Sequence, residues 1–305
     1  MNMNADDSIK SSIKKSIIVL KQLMLDSFGI FKALVKYDFF NDDFRSMKKV
    51  RPEEFVVIGN GPSLRETLKE SIGFFNGKKI ACVNEFALSE YFDVVKPDYC
   101  IFLDPGLWVR NNSEKQRGLN EKNFKAFKEK VVWPITIIMP LAAKKWNWFM
   151  DLPMLNKNVK ICCVNTTVVN NCSRRVRNFL YKRDLAMPRP QTVLVGALFL
   201  ALNLGYRKIF IVGADSSWHE NFFLGEDNIV YSKNEHFYHE KNLSYSPMLL
   251  SPEETENVKM HVFFNALSQA FEGYQHVEEY ASSIGAKIYN ASKKTYIDAF
   301  ERYKI

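Results

Sequence analysis

Seven short runs, 54–59 (EFVVIG), 79–83 (KIACV), 98–103 (DYCIFL), 134–139 (PITIIM), 159–164 (VKICCV), 208–213 (KIFIVG) and 286–289 (AKIY), are apolar almost without interruption. That continuity constrains the fold more than any other feature of the chain. A strand with one wet face alternates apolar and polar residues, so strands apolar on both sides belong inside a sheet that is covered twice. Between the runs lie helical stretches at 65–73, 120–130, 192–204 and 256–284. The alternation predicts an α/β fold: a mostly parallel sheet with helices on both faces. At 305 residues, 47% of them hydrophobic, the chain has the material for one such domain plus appendages.

Sheets of this kind bind ligands beyond the carboxyl ends of their strands, near the point where the strand order reverses. The residues just past the runs are Asn60 with Gly61, Asn84 with Glu85, Asp104 with Pro105, Asn165 with Thr166, and Ala214 with Asp215. Amides donate and accept at once, so this set could read ribose hydroxyls and a base edge; each Asn taken singly also suits a helix cap. The first turn, IGNGPSL at 58–64, leads into a helix. Gly59 and Gly61 let a ligand approach the main chain closely, and Pro62 and Ser63 suit the first turn of a helix, whose N–H groups favour an anion. The turn lacks the Gly-Lys-Ser/Thr ending of a Walker A loop, and Leu64 stands at the third glycine of a G-x-G-x-x-G pattern.

Residues 8–37 place Ile9, Ile13, Ile17, Leu20 and Met24 at steps of three or four, with Lys10, Lys14, Lys15 and Lys21 between them. The spacing predicts an amphipathic basic helix, packed on the main domain or a partner, or lying on an anionic membrane surface. With the polar stretch NDDFRSMKKVRPEE after it, the chain divides into a helical segment, 1–45, and a main domain, 46–305, with a lid-like insertion around 216–255. The formal charge of +8 points to acidic partners. The Lys and Arg residues are scattered apart from SRRVRNFLYKRD at 173–184, and no RNA-binding aromatic signature accompanies them, so nucleic acid is not the expected partner. Cys82, Cys100, Cys162, Cys163 and Cys172 lack C-x-x-C spacing and read as reduced, buried thiols. No secretory signal pattern opens the chain, and the expected location is cytoplasmic, including a peripheral place on the inner face of the cell membrane.

The blocks FVVIGNGPSL, IACVNEF, YCIFLDP and TVLVGALFLALNLGYRKIFIVGADSSW, in this order over residues 54–218, resemble the bacterial sialyltransferases of glycosyltransferase family 42. The Gly-x-Gly-Pro-Ser turn is shared with a related clan that includes motility accessory factors and an archaeal pterin pyrophosphokinase, and the ending YASSIGAKIYNASKKTYIDAFER is similar to the termini of polysaccharide glycosyltransferases of that clan. The resemblance implies a Rossmann-like fold and a CMP-sugar donor. It implies that Asn60, Gly61, Ser63 and Asn84 contact the CMP moiety, that Asp104 stands where those enzymes carry Asn, and that the helix start from Gln191 to Gly196 faces the donor sugar. The nucleotide-binding set is then Gly59, Asn60, Gly61, Ser63, Asn84, Asp104, Gly196 and Asp215. Where the sialyltransferases carry Arg and a Thr-Ser pair, this chain has Thr192, Leu194 and Val195; where they carry a tyrosine after G-x-D, it reads Ser216, Ser217 and Trp218.

Inverting transfer needs a base for the acceptor hydroxyl and help for the departing phosphate. Histidine titrates near neutral pH, and His236 and His239 lie in the polar stretch NEHFYHEKN that follows the G-x-D strand, as the family's catalytic histidine does. His236 is the first candidate for the base, His239 its alternate and His219 the next, with Ser217 and Tyr238 as candidates for leaving-group assistance. No strand ends in an Asp-x-Asp pair, and His236, His239 and Glu240 match no zinc spacing, so no metal is expected. The reading is a sialyltransferase-like enzyme moving an acidic sugar, such as sialic acid or Kdo, from CMP to a glycan or lipid-linked oligosaccharide, with homo-oligomerisation left open. The alternatives are a nucleotide-dependent pyrophosphokinase and a non-catalytic basic binding module.

Overall fold

The computed structural model describes residues 3–36, 43–109, 114–145, 147–233, 245–249 and 256–305. Helix α1 (Met3–Val35) and the single turn α2 (Asp43–Ser46) precede the sheet. Strand β1 (Phe55–Ile58) leads to α3 (Leu64–Glu70), β2 (Lys79–Val83), α4 (Phe92–Val95), β3 (Tyr99–Ile101), α5 (Glu114–Glu129) and β4 (Ile135–Pro140). The short helices α6 (Asn147–Met150) and α7 (Leu152–Leu155) come before β5 (Val159–Val164), and α8 (Arg174–Lys182) and α9 (Val193–Asn203) carry the chain across to β6 (Lys208–Val212). A small unit of β7 (Phe222–Leu224), β8 (Val230–Ser232) and β9 (Ser246–Pro247) follows, then the long α10 (Met260–Ser283), β10 (Lys287–Asn290) and β11 (Glu301–Arg302).

The main sheet has eight strands in the order β11-β10-β6-β1-β2-β3-β4-β5, and every neighbouring pair is parallel. All seven apolar runs form strands of this sheet. Alternate residues explain why the runs are continuous. Phe55, Val57, Ala81, Val83, Ile209 and Ile211 pack into a core with α9 and α10 on one face, while Val56, Ile58, Ile80, Cys82, Phe210 and Val212 pack into a second core with α3, α4 and α5 on the other. Helix α9 lies under α10 and against β1 and β2, and every residue from Leu194 to Asn203 is buried, which is why that helix is apolar all round. The five cysteines are free and buried, and burial pushes the Cys162 thiol up to about 12.

The chain steps from β1 outward to β5, then returns to place β6 on the other side of β1. The order reverses between β1 and β6, so the turns after those two strands diverge from one point. The insertion holds the antiparallel β7-β8-β9 sheet. Helix α1 is present as expected, and the stretch after it is partly docked: Phe44 is buried in the first core, and Lys48 pairs with Asp184.

Candidate functional site

The β1 and β6 turns interlock before any ligand is considered. The Gly61 N–H donates to Gly213 O at 2.8 Å. A Cβ on Gly61 would fall 2.1 Å from Asp215 Oδ1, and one on Gly59 would fall 2.5 Å from Gly213 O, so the two turns meet only because side chains are absent there. Asp215 then reaches across. Its Oδ1 accepts from the Ser63 hydroxyl at 2.7 Å, and its Oδ2 accepts from the Ser63 N–H at 3.0 Å, at the start of α3. The segment after β10 holds Asp215 from behind: the Thr295 hydroxyl donates to Ala214 O, the Tyr296 N–H to Asp215 O, and the Ala214 N–H to the Ser292 hydroxyl. Burial raises the Asp215 carboxyl above its ordinary value, an effect that the Ser63 hydrogen bonds reduce without reversing.

A cavity of about 500 Å³ opens at this reversal point. Its walls include Asn60 and Gly61 after β1, Asn84 after β2, Asp104 after β3, Gln191 to Leu194 at the start of α9, Asp215 to Trp218 after β6, and Lys233. Asn60 is 8% exposed; its Nδ2 donates to Val83 O at 3.1 Å, while its Oδ1 is buried without a partner. Asn84 Oδ1 is likewise buried and unpartnered, on a residue whose φ is +51°, a conformation Asn tolerates better than most. Both residues line the cavity, and these two amide oxygens are among the buried polar atoms that lack a partner within the described residues. Below them Ser216 contacts Tyr274 Oη at 3.2 Å, and burial pushes that phenol up to about 12, so it is a neutral hydroxyl at neutral pH.

Two helices start at this cavity. The start of α3 faces the Asp215 carboxylate. The start of α9 is capped by a neutral residue: Thr192 Oγ1 accepts weakly, at 3.4 Å, from the Leu194 N–H. This eleven-residue helix begins in the cavity wall and brings its positive dipole end there, with the Leu194 and Val195 N–H groups already donating to Thr192. Lys233 is the one basic side chain among the described lining residues, with its Nζ 5.6 Å from the centre of the Tyr245 ring.

Of the residues singled out in the sequence, Asn60, Gly61, Asn84, Asp104, Asp215 and Ser217 line the cavity together. Gly59 and Ser63 stand behind the wall, the first at the β1/β6 crossing and the second in the bond to Asp215. Gly196 sits one turn into α9, where a Cβ would fall 2.1 Å from Leu103 Cδ1; its smallness serves packing of the helix on the β3 turn. His219 packs edge-on against Tyr296 at 4.2 Å and is not a lining residue. His236, Tyr238 and His239 lie outside the described residues. Asn221 and Lys233 were not expected; both belong to the insertion, where no strong pattern marks them. Among the described residues no three His, Cys, Asp or Glu side chains cluster as a metal site would require.

The fold and cavity define an α/β protein with an open cavity at the topological reversal of a parallel sheet. No protein-family model and no curated protein matches this sequence. The solved structure of the MAf glycosyltransferase from Magnetospirillum magneticum AMB-1 is similar at a TM-score of 0.45 and 13% identity, covering 84% of this chain and 34% of that one. The chain thus spans about a third of that protein's length.

Proposed function

We propose that the chain is a glycosyltransferase that binds a CMP-activated acidic sugar, such as sialic acid or Kdo, in this cavity and passes it with inversion to a glycan or lipid-linked oligosaccharide, without a metal. The observation that carries the reading is the pairing, in one wall, of unpartnered amide oxygens on Asn60 and Asn84 with the neutral-capped start of α9. The amides suit the amine and hydroxyl donors of a cytidine, and the helix start suits its phosphate. On this reading the phosphate belongs at α9, because the chain's own Asp215 carboxylate stands at the start of α3. Ser217, a lining residue, is the proposed aid to the leaving phosphate, with Tyr238 as the alternate. His236, three positions after the cavity residue Lys233, is the proposed base.

The test is a thermal-shift series on the purified chain with CMP, CDP, UDP, GDP and ATP, each with EDTA or with Mg²⁺. A ligand that binds only the folded state raises the melting temperature. The expected result is a shift with CMP that EDTA leaves intact. A response to ATP or UDP that requires Mg²⁺, with none to CMP, overturns the proposal and favours the pyrophosphokinase reading, for which Asp104 and Asp215 in the same wall would be the first metal ligands to examine.

A further inference from the structure

Helix α1 presents two opposite faces, and among the described residues only one of them packs on the domain. Gln22, Asp26, Gly29 and Ala33, at steps of four, three and four, form the inner face. The Asp26 carboxylate accepts from the Ser173 N–H at 2.6 Å and from its hydroxyl at 2.8 Å, and the Gln22 amide donates to Asn171 O. Ala33 is fully buried, and Gly29 lies so close to Cys172 that a Cβ would fall 2.0 Å from its Sγ. Burial tends to raise the Asp26 carboxyl, but the hydrogen bonds from Ser173 and Gln22 outweigh it and hold it below its ordinary value.

At 3.6 residues per turn, Ile13, Ile17, Leu20, Met24, Phe28, Phe31 and Val35 fall on the opposite side. Each of these is more than half exposed, with Met24, Phe28 and Val35 at 67%. From Lys10 to Lys21 the helix is exposed on every side. A row of large apolar side chains this long is far more than the scattered exposure of a soluble surface. No helix among the described residues is long and apolar enough to cross a membrane.

The charges choose the occupant. From residue 10 to 36 the helix carries Lys10, Lys14, Lys15, Lys21, Lys32 and Lys36 against one acid, Asp26, which is turned inward to Ser173. Helix α8 packs beside α1 and begins directly after Ser173; its Arg174, Arg175 and Lys182, with Arg183, are exposed, and Phe179 is 48% exposed under the Arg183 guanidinium. A second copy laid along residues 10–36 would bring lysines against lysines, because the one acid there, Asp26, is turned inward. An anionic lipid surface supplies both the apolar layer for the row and the negative charge for its flanks.

We propose that the outer face of α1, with the exposed basic side chains of α8 beside it, docks this protein in the plane of an anionic membrane while the inner face stays on the domain. This stands apart from the assignment of the cavity, because it concerns a different surface and is measured without donor or turnover. The test uses the intact chain and sedimentation with vesicles of phosphatidylglycerol and phosphatidylethanolamine, or of phosphatidylcholine alone, in about 50 mM and about 500 mM salt. Binding is expected to the anionic vesicles at low salt and to fall several-fold at high salt. The triple variant Met24→Glu, Phe28→Glu, Phe31→Glu should lose at least about tenfold, with unchanged circular dichroism and melting, and Lys14→Glu with Lys21→Glu should lose about as much. Should the triple variant misfold, Ile17→Gln with Leu20→Gln gives the same readout where no domain contact can be disturbed. An intact chain that ignores both vesicle types overturns the proposal. So does a stable dimer in light scattering that the outer-face variants dissociate, since a second copy would then cover the row.

Discussion

The two helix starts at the cavity look alike in sequence and differ in what they can still bind. Ser63 and Thr192 are both hydroxyl residues at the head of a helix, the first in a glycine-rich turn that reads as an anion cradle, the second before an apolar run without glycines in its first turn. In the folded protein the first faces an anion of the chain's own, the Asp215 carboxylate, and the second faces the cavity with a neutral cap. A turn shaped for an anion therefore does not say whose anion it holds. The Asp215 contact joins residues 152 positions apart and ties the two central strand ends together, so at α3 the anion is structural.

Four measurements would break or sharpen this contrast. The largest effect separates chemistry from both helix starts: His236→Ala should lose at least about 10²-fold in turnover while CMP affinity stays, as loss of a general base does. His239→Ala is its control, and normal rates in both single variants and in the double variant would end the histidine mechanism.

Asp215→Ala comes next. It leaves the Ser63 N–H and hydroxyl without their partner and should cost about 1–3 kcal/mol in denaturant unfolding. It also vacates the start of α3, so inorganic phosphate should protect this variant more than the parent; equal protection would mean that the two starts never differed.

Thr192→Asp gives α9 the charge that α3 already has. Asp caps helices well, so the melting temperature should hold or rise while CMP binding weakens by roughly tenfold through like-charge repulsion in a partly enclosed site. Unchanged affinity would move the phosphate away from α9.

The smallest effect is a slope. Because burial raises the folded-state value of Asp215, the native protein binds more protons than the unfolded chain between about pH 4 and that higher value. The stability that protonation of Asp215 adds is fully present below about pH 4 and is lost as pH rises through its folded value. Asp215→Asn should flatten this part of the melting profile, and an unchanged slope would show that the carboxyl titrates normally.

Legibility in the sequence followed how far each residue's environment is set by its neighbours in the chain. The strands could be read because burial on both faces leaves a continuous apolar run, as in VKICCV of β5. The two-residue strands β9 and β11 are exposed and carry no such run, and they were not expected. Asn60, Asn84, Asp104 and Asp215 could be picked out as cavity residues because each lies within three residues of the carboxyl end of a parallel strand, where folds of this kind expose their turns. The tight packing of Gly196 could not, because the Leu103 methyl that excludes a side chain there arrives from 93 positions away.

By itself the sequence determined a doubly covered parallel sheet, the reversal-point turns as its candidate site, and a basic apolar helix ahead of it, because periodicity and turn chemistry are local properties. Only the tertiary structure decided that Asp215 meets Ser63, that α9 starts at the cavity with a neutral cap, and that Gln22, Asp26, Gly29 and Ala33 take one face of α1 onto the domain and leave the other exposed among the described residues. Each of those outcomes is a pairing between distant segments. Charge, steric fit and hydrogen-bond demand select such a pairing only once the sheet has brought the partners within reach.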